Sequence, residues 1–153
     1  MAKMSVDGAE AFGKLEGLDS AMRRTGIRRI VEAGAKAAAE EMTGNIQKYR
    51  HVKTGSMQQN VAGADYKETF DGGEMQVYPQ GTDSRGVSNA MKAYVINYGI
   101  GKNPTRRSGA RRERNRTGDK FITGNFKNAE PKIQAAMAAE ASAVLREATN
   151  TEG

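Results

Sequence analysis

Residues 27–49, IRRIVEAGAKAAAEEMTGNIQKY, place apolar side chains at Ile27, Val31, Ala35, Ala38, Met42, Ile46 and Tyr49, a step of three or four each time. Arg28, Arg29, Glu32, Lys36, Glu40, Glu41 and Lys48 fill the other positions. The spacing predicts one long amphipathic helix over about 27–50, with an apolar stripe for a core and a charged remainder for water. Glu40 and Glu41 fall on different sides of it and read as a solvated face.

Upstream, Ala9, Phe12, Leu15, Leu18 and Met22 fall at helical spacing, so a first helix is expected there, weakened by Gly13 and Gly17. Downstream, His51 to Ser56 is polar and reads as a connector. Val61–Phe70 and Glu74–Tyr78 are short runs rich in β-branched and aromatic residues, separated by Asp71-Gly72-Gly73. Glycine accepts the positive φ of tight hairpin turns, so a β-hairpin is expected near 60–79, closed by Pro79 and Gly81 and followed by a loop to Asn89. Met91, Tyr94, Val95 and Tyr98 then follow helical spacing, with Ser88 or Asn89 as N-cap and Gly99 as left-handed C-cap. They predict a short helix near 90–98, although Ala93–Tyr98 would also serve as a strand. Phe121-Ile122 suits a return strand. Pro131 suits the first turn of a terminal helix over about 129–148, whose stripe is Ile133, Met137, Ala141, Val144, Leu145 and Ala148. Thr149 to Gly153 should fray. The class expected is α+β, one domain over 1–153, a small antiparallel sheet packed with long helices.

The chain of 153 residues carries 24 Lys and Arg against 18 Asp and Glu, a net +6. Between Lys102 and Lys120 stand eight cations (Lys102, Arg106, Arg107, Arg111, Arg112, Arg114, Arg116 and Lys120) against Glu113 and Asp119. That stretch alone is therefore +6 and the remainder is neutral, unlike a protein whose basic residues spread over its surface. It holds Pro104, Gly109 and Gly118 and almost no apolar residue, so a flexible basic loop over 102–120 is expected. Hydrophobic residues are 37% and mean hydropathy is −0.71, a lean core that makes support from an oligomer plausible. With no Cys, disulfides, thiolate metal sites and cysteine nucleophiles are excluded, which fits an intracellular site of assembly. Met1 to Gly13 has no apolar run, so no signal peptide is expected, and no stretch approaches the ~18 apolar residues of a membrane span.

Catalytic patterns are hard to assemble. With one His and scattered carboxylates, no nucleophile–base pair or metal cluster is recognisable, and His51 beside Arg50 and Lys53 reads as a solvated loop residue. Gly99-Ile100-Gly101-Lys102 has Ile96 and Asn103 where a phosphate loop needs Gly and Ser or Thr. Asn115-Arg116-Thr117 matches a glycosylation sequon, read as coincidence without a secretory signal. No enzyme, cofactor or metal is expected. The basic loop is the remaining candidate: its six Arg suit phosphate through paired hydrogen bonds, and binding would act through counterion release without base reading. Contact with an acidic protein surface fits equally. Tyr and Phe are missing from the stretch, so base stacking is not offered there.

Three landmarks occur in order. Lys53-Thr54-Gly55-Ser56-Met57 with Asn60-Val61 resembles a Thr-Gly-x-Leu-x-x-Ser-Ile signature, and Ala93-Tyr94-Val95-Ile96-Asn97-Tyr98-Gly99 resembles Ala-x-Tyr-Val-Glu-Phe-Gly-Thr. Lys120-Phe121-Ile122 before the Ala-rich helix resembles Pro-Phe-Leu-x-Pro-Ala. Together, over residues 10 to 148, they resemble the neck, tail-completion or head–tail joining proteins of long-tailed bacteriophages. Asn97, Ile100 and Asp119-Lys120 depart from the usual Glu, Thr and Pro.

The resemblance implies a non-catalytic virion protein at the head–tail junction, assembled in the host cytoplasm. It implies a homo-oligomeric ring, six-fold, that joins the portal or head-closure side of the DNA-filled head to the tail around a DNA channel. The neighbours it implies are a head-closure or connector protein and a tail-terminator or tail-tube protein, with non-specific contact to genomic DNA and none to a membrane. Thr54, Gly55, Met57, Tyr94, Val95, Tyr98, Gly99 and Phe121 are its motif positions, expected in the core or at a subunit interface. Core is favoured for Met57, Tyr94 and Tyr98. The alternative reading is a non-specific nucleic-acid-binding protein acting through the basic loop.

Overall fold

A computed structural model describes residues 3–7, 15, 18–48, 55–70, 72–100, 116–117, 120–124 and 126–151. The elements are β1 (Met4–Asp7), α1 (Ser20–Lys48), the one-turn α2 (Ser56–Gln59), β2 (Val61–Gly63), β3 (Lys67–Thr69), β4 (Gly72–Pro79), α3 (Asn89–Tyr98), β5 (Gly99–Ile100), β6 (Arg116–Thr117) and α4 (Phe126–Thr151). The fold is α+β with a small antiparallel sheet.

β4 is the spine of that sheet. β1 runs along one edge, Met4 opposite Val77 to Asp7 opposite Glu74, while β2 and β3 share the other. Side chains alternate along β4, with Met75, Val77 and Pro79 buried and Glu74, Gln76 and Tyr78 half-buried, so one face meets the core. The expected hairpin is present with two differences. Thr69 lies opposite Gly72, so the turn opens at Phe70 and Gly72, at φ 152°, already belongs to the second arm. The first arm is broken: Gly63 pairs with Val77 but Lys67 with Glu74, leaving three residues facing two, a bulge. There the Tyr66 ring lies over Gly73, where an added Cβ would collide with Cε2 of the ring.

Upstream of α1 the expected helix fails in part, because Leu15 and Leu18 lie in a turn, the Leu18 N–H donating to the Leu15 carbonyl at 3.1 Å. The chain opens with a strand, whose Met4 and Val6 are buried around exposed Ser5. Two apolar residues are too few to register as periodicity. Met22 belongs to α1 and is exposed; Ala9, Phe12, Gly13 and Gly17 lie outside the described residues, as do Tyr49 and His51.

α1 starts seven residues before Ile27, its first turn closed by the Arg23 N–H donating to the Asp19 carbonyl at 2.8 Å. It packs against the sheet and, antiparallel, against α4. All three meet at Gly34, where a Cβ would lie 2.6 Å from Val6 Cγ1 and 2.7 Å from Met137 Cγ. Ion pairs mark the register of the helices: Arg29 meets Glu140 at 2.7 Å and Glu147 at 2.6 Å, and Lys132 meets Glu41 at 2.5 Å. Glu41 is thus a partner of α4, not part of a solvated face as expected. α4 carries the expected stripe, with Ile133, Ala141, Val144 and Ala148 buried, but begins at Phe126, so Pro131 is its sixth residue and not in the first turn. Its missing N–H there forgoes a helical bond. Among the described residues no helix is long and apolar enough to cross a membrane.

Candidate functional site

α3 is present as the sequence predicts, from Asn89 to Tyr98, with Ser88 as N-cap: its Oγ accepts the Met91 N–H at 3.4 Å. Its orientation is the reverse of the one expected. The buried residues are Asn89, Ala93 and Asn97, spaced i, i+4, i+8, while Met91, Tyr94 and Tyr98 stand 60%, 44% and 50% exposed. Tyr94 and Tyr98 are therefore not core residues. Their rings lie 5.0 Å apart at 51°, and Val87, just before the N-cap, is exposed as well.

The reason lies in the carboxamides. Asn97, fully buried, accepts at Oδ1 from the Ile122 N–H at 2.9 Å and the Thr123 N–H at 3.2 Å, and its Nδ2 donates to Thr123 Oγ1 at 3.2 Å. Its carbonyl also accepts the Lys120 N–H at 3.1 Å. These bonds hold 121–124 as a turn, not the expected return strand, with Phe121 and Ile122 driven fully into the core. At the other end Asn89 Nδ2 donates to the Gln80 carbonyl at 2.7 Å and to Ser56 Oγ at 3.1 Å, tying α3 to the end of β4 and to α2. Unpaired buried main-chain groups are costly, so the amides win the inward face and the apolar side chains are turned to water. Sequence reading missed this. The signal was available as two Asn at i, i+8 flanking Ala93 within an apolar run.

A third polar group secures the helix from outside. Asp83 accepts the N–H groups of Arg85 and Val87 at 2.9 Å each through Oδ1, and Oδ2 pairs with Lys92 Nζ on α3. Lys92 above all, then the two N–H donors, hold its carboxyl down at about 2.

Directly after Tyr98, Gly99 takes φ 85° and ψ 176°. It shares the positive φ of a helix cap, but its extended ψ leads straight into β5, which pairs with β6, Gly99 opposite Thr117 and Ile100 opposite Arg116. The basic stretch thus leaves and returns beside the C-terminal end of the aromatic strip. Lys102, Arg106, Arg107, Arg111, Arg112 and Arg114 lie outside the described residues, as does the sequon's Asn115; Arg116 contributes its main chain to β6. Lys120 is exposed, with φ 51°.

Of the other motif positions, Thr54 lies outside the described residues, and Gly55, at φ 69°, opens α2. Met57 and Phe121 are buried in the core and Val95 is half-buried. Among the described residues no three His, Cys, Asp or Glu side chains gather in a way that would hold a metal ion. A shallow cleft of about 190 Å³ lies at the hairpin tip, among Arg23, Ile27, Tyr66, Glu68 and Phe70. No family model, curated protein or solved structure matches the chain.

Proposed function

We propose that the chain is a structural subunit of the neck of a long-tailed bacteriophage, forming a ring, six-fold by resemblance, between the DNA-filled head and the tail. The observation that carries this reading is the outward strip of Met91, Tyr94 and Tyr98. Burying Asn89 and Asn97 leaves two tyrosines and a methionine facing water, and a subunit of an assembly recovers that apolar surface as an interface. The three ordered motif resemblances and the α+β class support it. In the ring, the +6 stretch of each subunit becomes a collar of positive charge that grips DNA in the channel or an acidic face of a neighbouring ring. No catalysis is part of this role.

Sedimentation and electron microscopy of the purified protein, alone and with head-closure and tail-tube rings, test the proposal. Closed rings with countable subunits, formed alone or on those partners, are expected. A monomer that ignores both partner rings overturns it. The second reading, a non-specific nucleic-acid-binding protein, is favoured by the confinement of the net charge to one stretch. It expects a compact monomer or dimer with duplex affinity and no preference for phage structural partners.

A further inference from the structure

We propose that the hairpin tip of one copy, led by Phe70, docks on the outward face of α3 of the next, joining copies head to tail. This rests on the ring-forming reading and assigns its subunit contact. Phe70 is 99% exposed at the hairpin turn, a place where Gly, Asn, Asp and Ser are the usual occupants. Beside it lie the shallow cleft and a surround of arginine–carboxylate pairs: Arg24 pairs with Glu68 at 3.3 Å, and Arg28, paired with Glu32 at 2.9 Å, stands 5.9 Å from the Tyr66 ring centre.

The tip and α3 lie at opposite ends of β4. Its eight residues, at ~3.3 Å each, separate them by roughly 23 Å, so neither apolar feature covers the other within one chain. A two-fold dimer matches a patch with itself. Two unlike features at opposite ends, a single projecting ring and a flat tilted pair, suit a heterologous contact, the kind that closes into rings. At ~150–250 Å² per full aromatic side chain, and with the two tyrosines only half exposed, the aromatic rings of the two features expose roughly 400 Å², to which Met91 adds. With a polar rim, a junction that buries both reaches the ~1,000 Å² of a specific interface. The match extends to charge, because β3 beside the tip carries the exposed Lys67, and tyrosine faces such as those of Tyr94 and Tyr98 accept cations.

The test uses the full chain with Phe70→Glu and Tyr94→Glu, and Met91→Glu as a second variant of the α3 face. Native mass spectrometry across a concentration series reads association, and thermal melting confirms that each variant folds. Each single variant is expected to weaken self-association by at least about 30-fold, as loss of a hot-spot residue does. Mixing the Phe70→Glu and Tyr94→Glu proteins restores one intact junction per pair, so a 1:1 dimer that extends no further is expected. The chain has no Cys, so oxidation of a Phe70→Cys/Tyr94→Cys double variant is expected to trap a ladder of multimers. Wild-type rings with undiminished variants overturn this contact and leave the ring reading standing, as do single variants that stay monomeric when mixed. A wild-type chain that stays monomeric, together with a double-Cys variant that yields no ladder on oxidation, overturns the contact. Rings formed only on a partner, with both variants still incorporated, overturn it too.

Discussion

The side-chain oxygen of Asn97 accepts the main-chain N–H of Ile122 at 2.9 Å, 25 positions away in sequence and with both residues fully buried. This bond joins the end of α3 to the turn that leads into α4, and with the Thr123 N–H it fixes which face of α3 looks inward. Replacing Asn97 with Ala leaves the buried Ile122 N–H and the part-buried Thr123 N–H without their acceptor, and a loss of about 2–4 kcal/mol is expected. In a chain of this size that lowers Tm by roughly 5–12 °C. Met91→Ala on the outward face should change stability by less than about 0.5 kcal/mol. Differential scanning calorimetry of both variants checks the contrast, and equal effects would show that the faces have been assigned wrongly.

Gly34 and Gly44 lie on the same helix in opposite circumstances. A Cβ on Gly34 meets Val6 and Met137 at under 3 Å, whereas one on Gly44 meets nothing within 4 Å. Gly34→Ala should destabilise by about 1–2 kcal/mol, because overpacking of two neighbours outweighs the gain in helix propensity. Gly44→Ala should stabilise by about 0.5–1 kcal/mol. Urea denaturation midpoints of the two variants, moving in opposite directions, are the expected result.

Asp83 predicts a defined acid response. Its carboxyl is held at about 2, below its unfolded value near 4, so the folded state binds the proton less readily than the unfolded state does. Its contribution is present in full above about pH 4 and is lost as pH falls towards 2. Asp83→Asn should lower Tm at pH 7 and flatten the decline of Tm between pH 4 and pH 2. A variant as acid-sensitive as the parent in that window would contradict the assignment.

If all eight cations of the basic stretch contact duplex phosphates, log affinity should fall with log salt at a slope of about −7 per subunit. Neutralising Arg111, Arg112, Arg114 and Arg116 should then reduce the slope by about 3–4 units. An unchanged slope in fluorescence anisotropy titrations would remove this stretch from DNA binding and leave a protein surface as its partner.

Deletion boundaries for the same stretch follow from its flanks. Bridging Lys102 to Arg114 with a short Gly/Ser linker leaves Gly99–Ile100, Arg116–Thr117 and the Lys120 N–H bond to Asn97 in place, and Tm should change by less than about 2 °C. A deletion that runs through Lys120 removes that bond and β6, and a larger fall in Tm is expected. Equal melting of the two deletion variants would show that these flanking contacts carry no stability.

The long helices, the hairpin and the confinement of charge to one stretch were legible in the residues because each is local. A stripe repeating every three or four residues or a Gly-containing turn acts over a few neighbours, and Ile27 to Ile46, Ile133 to Ala148 and Val61 to Tyr78 carried those signals. The strand Met4–Asp7 was not legible, since Met4 and Val6 become a strand only through β4 beside them. Nor was the direction in which α3 faces. Its apolar spacing matched a core stripe, yet Asn97 and Asn89 had main-chain groups at Ile122, Thr123 and Gln80 to bind. Satisfying buried polar groups outweighed hiding Met91, Tyr94 and Tyr98. The sequence by itself determined the two long helices, the short helix near 90–98, the hairpin and where the charge lies. Only the tertiary structure decided what each segment faces, because facing depends on hydrogen bonds and packing between residues far apart in the chain.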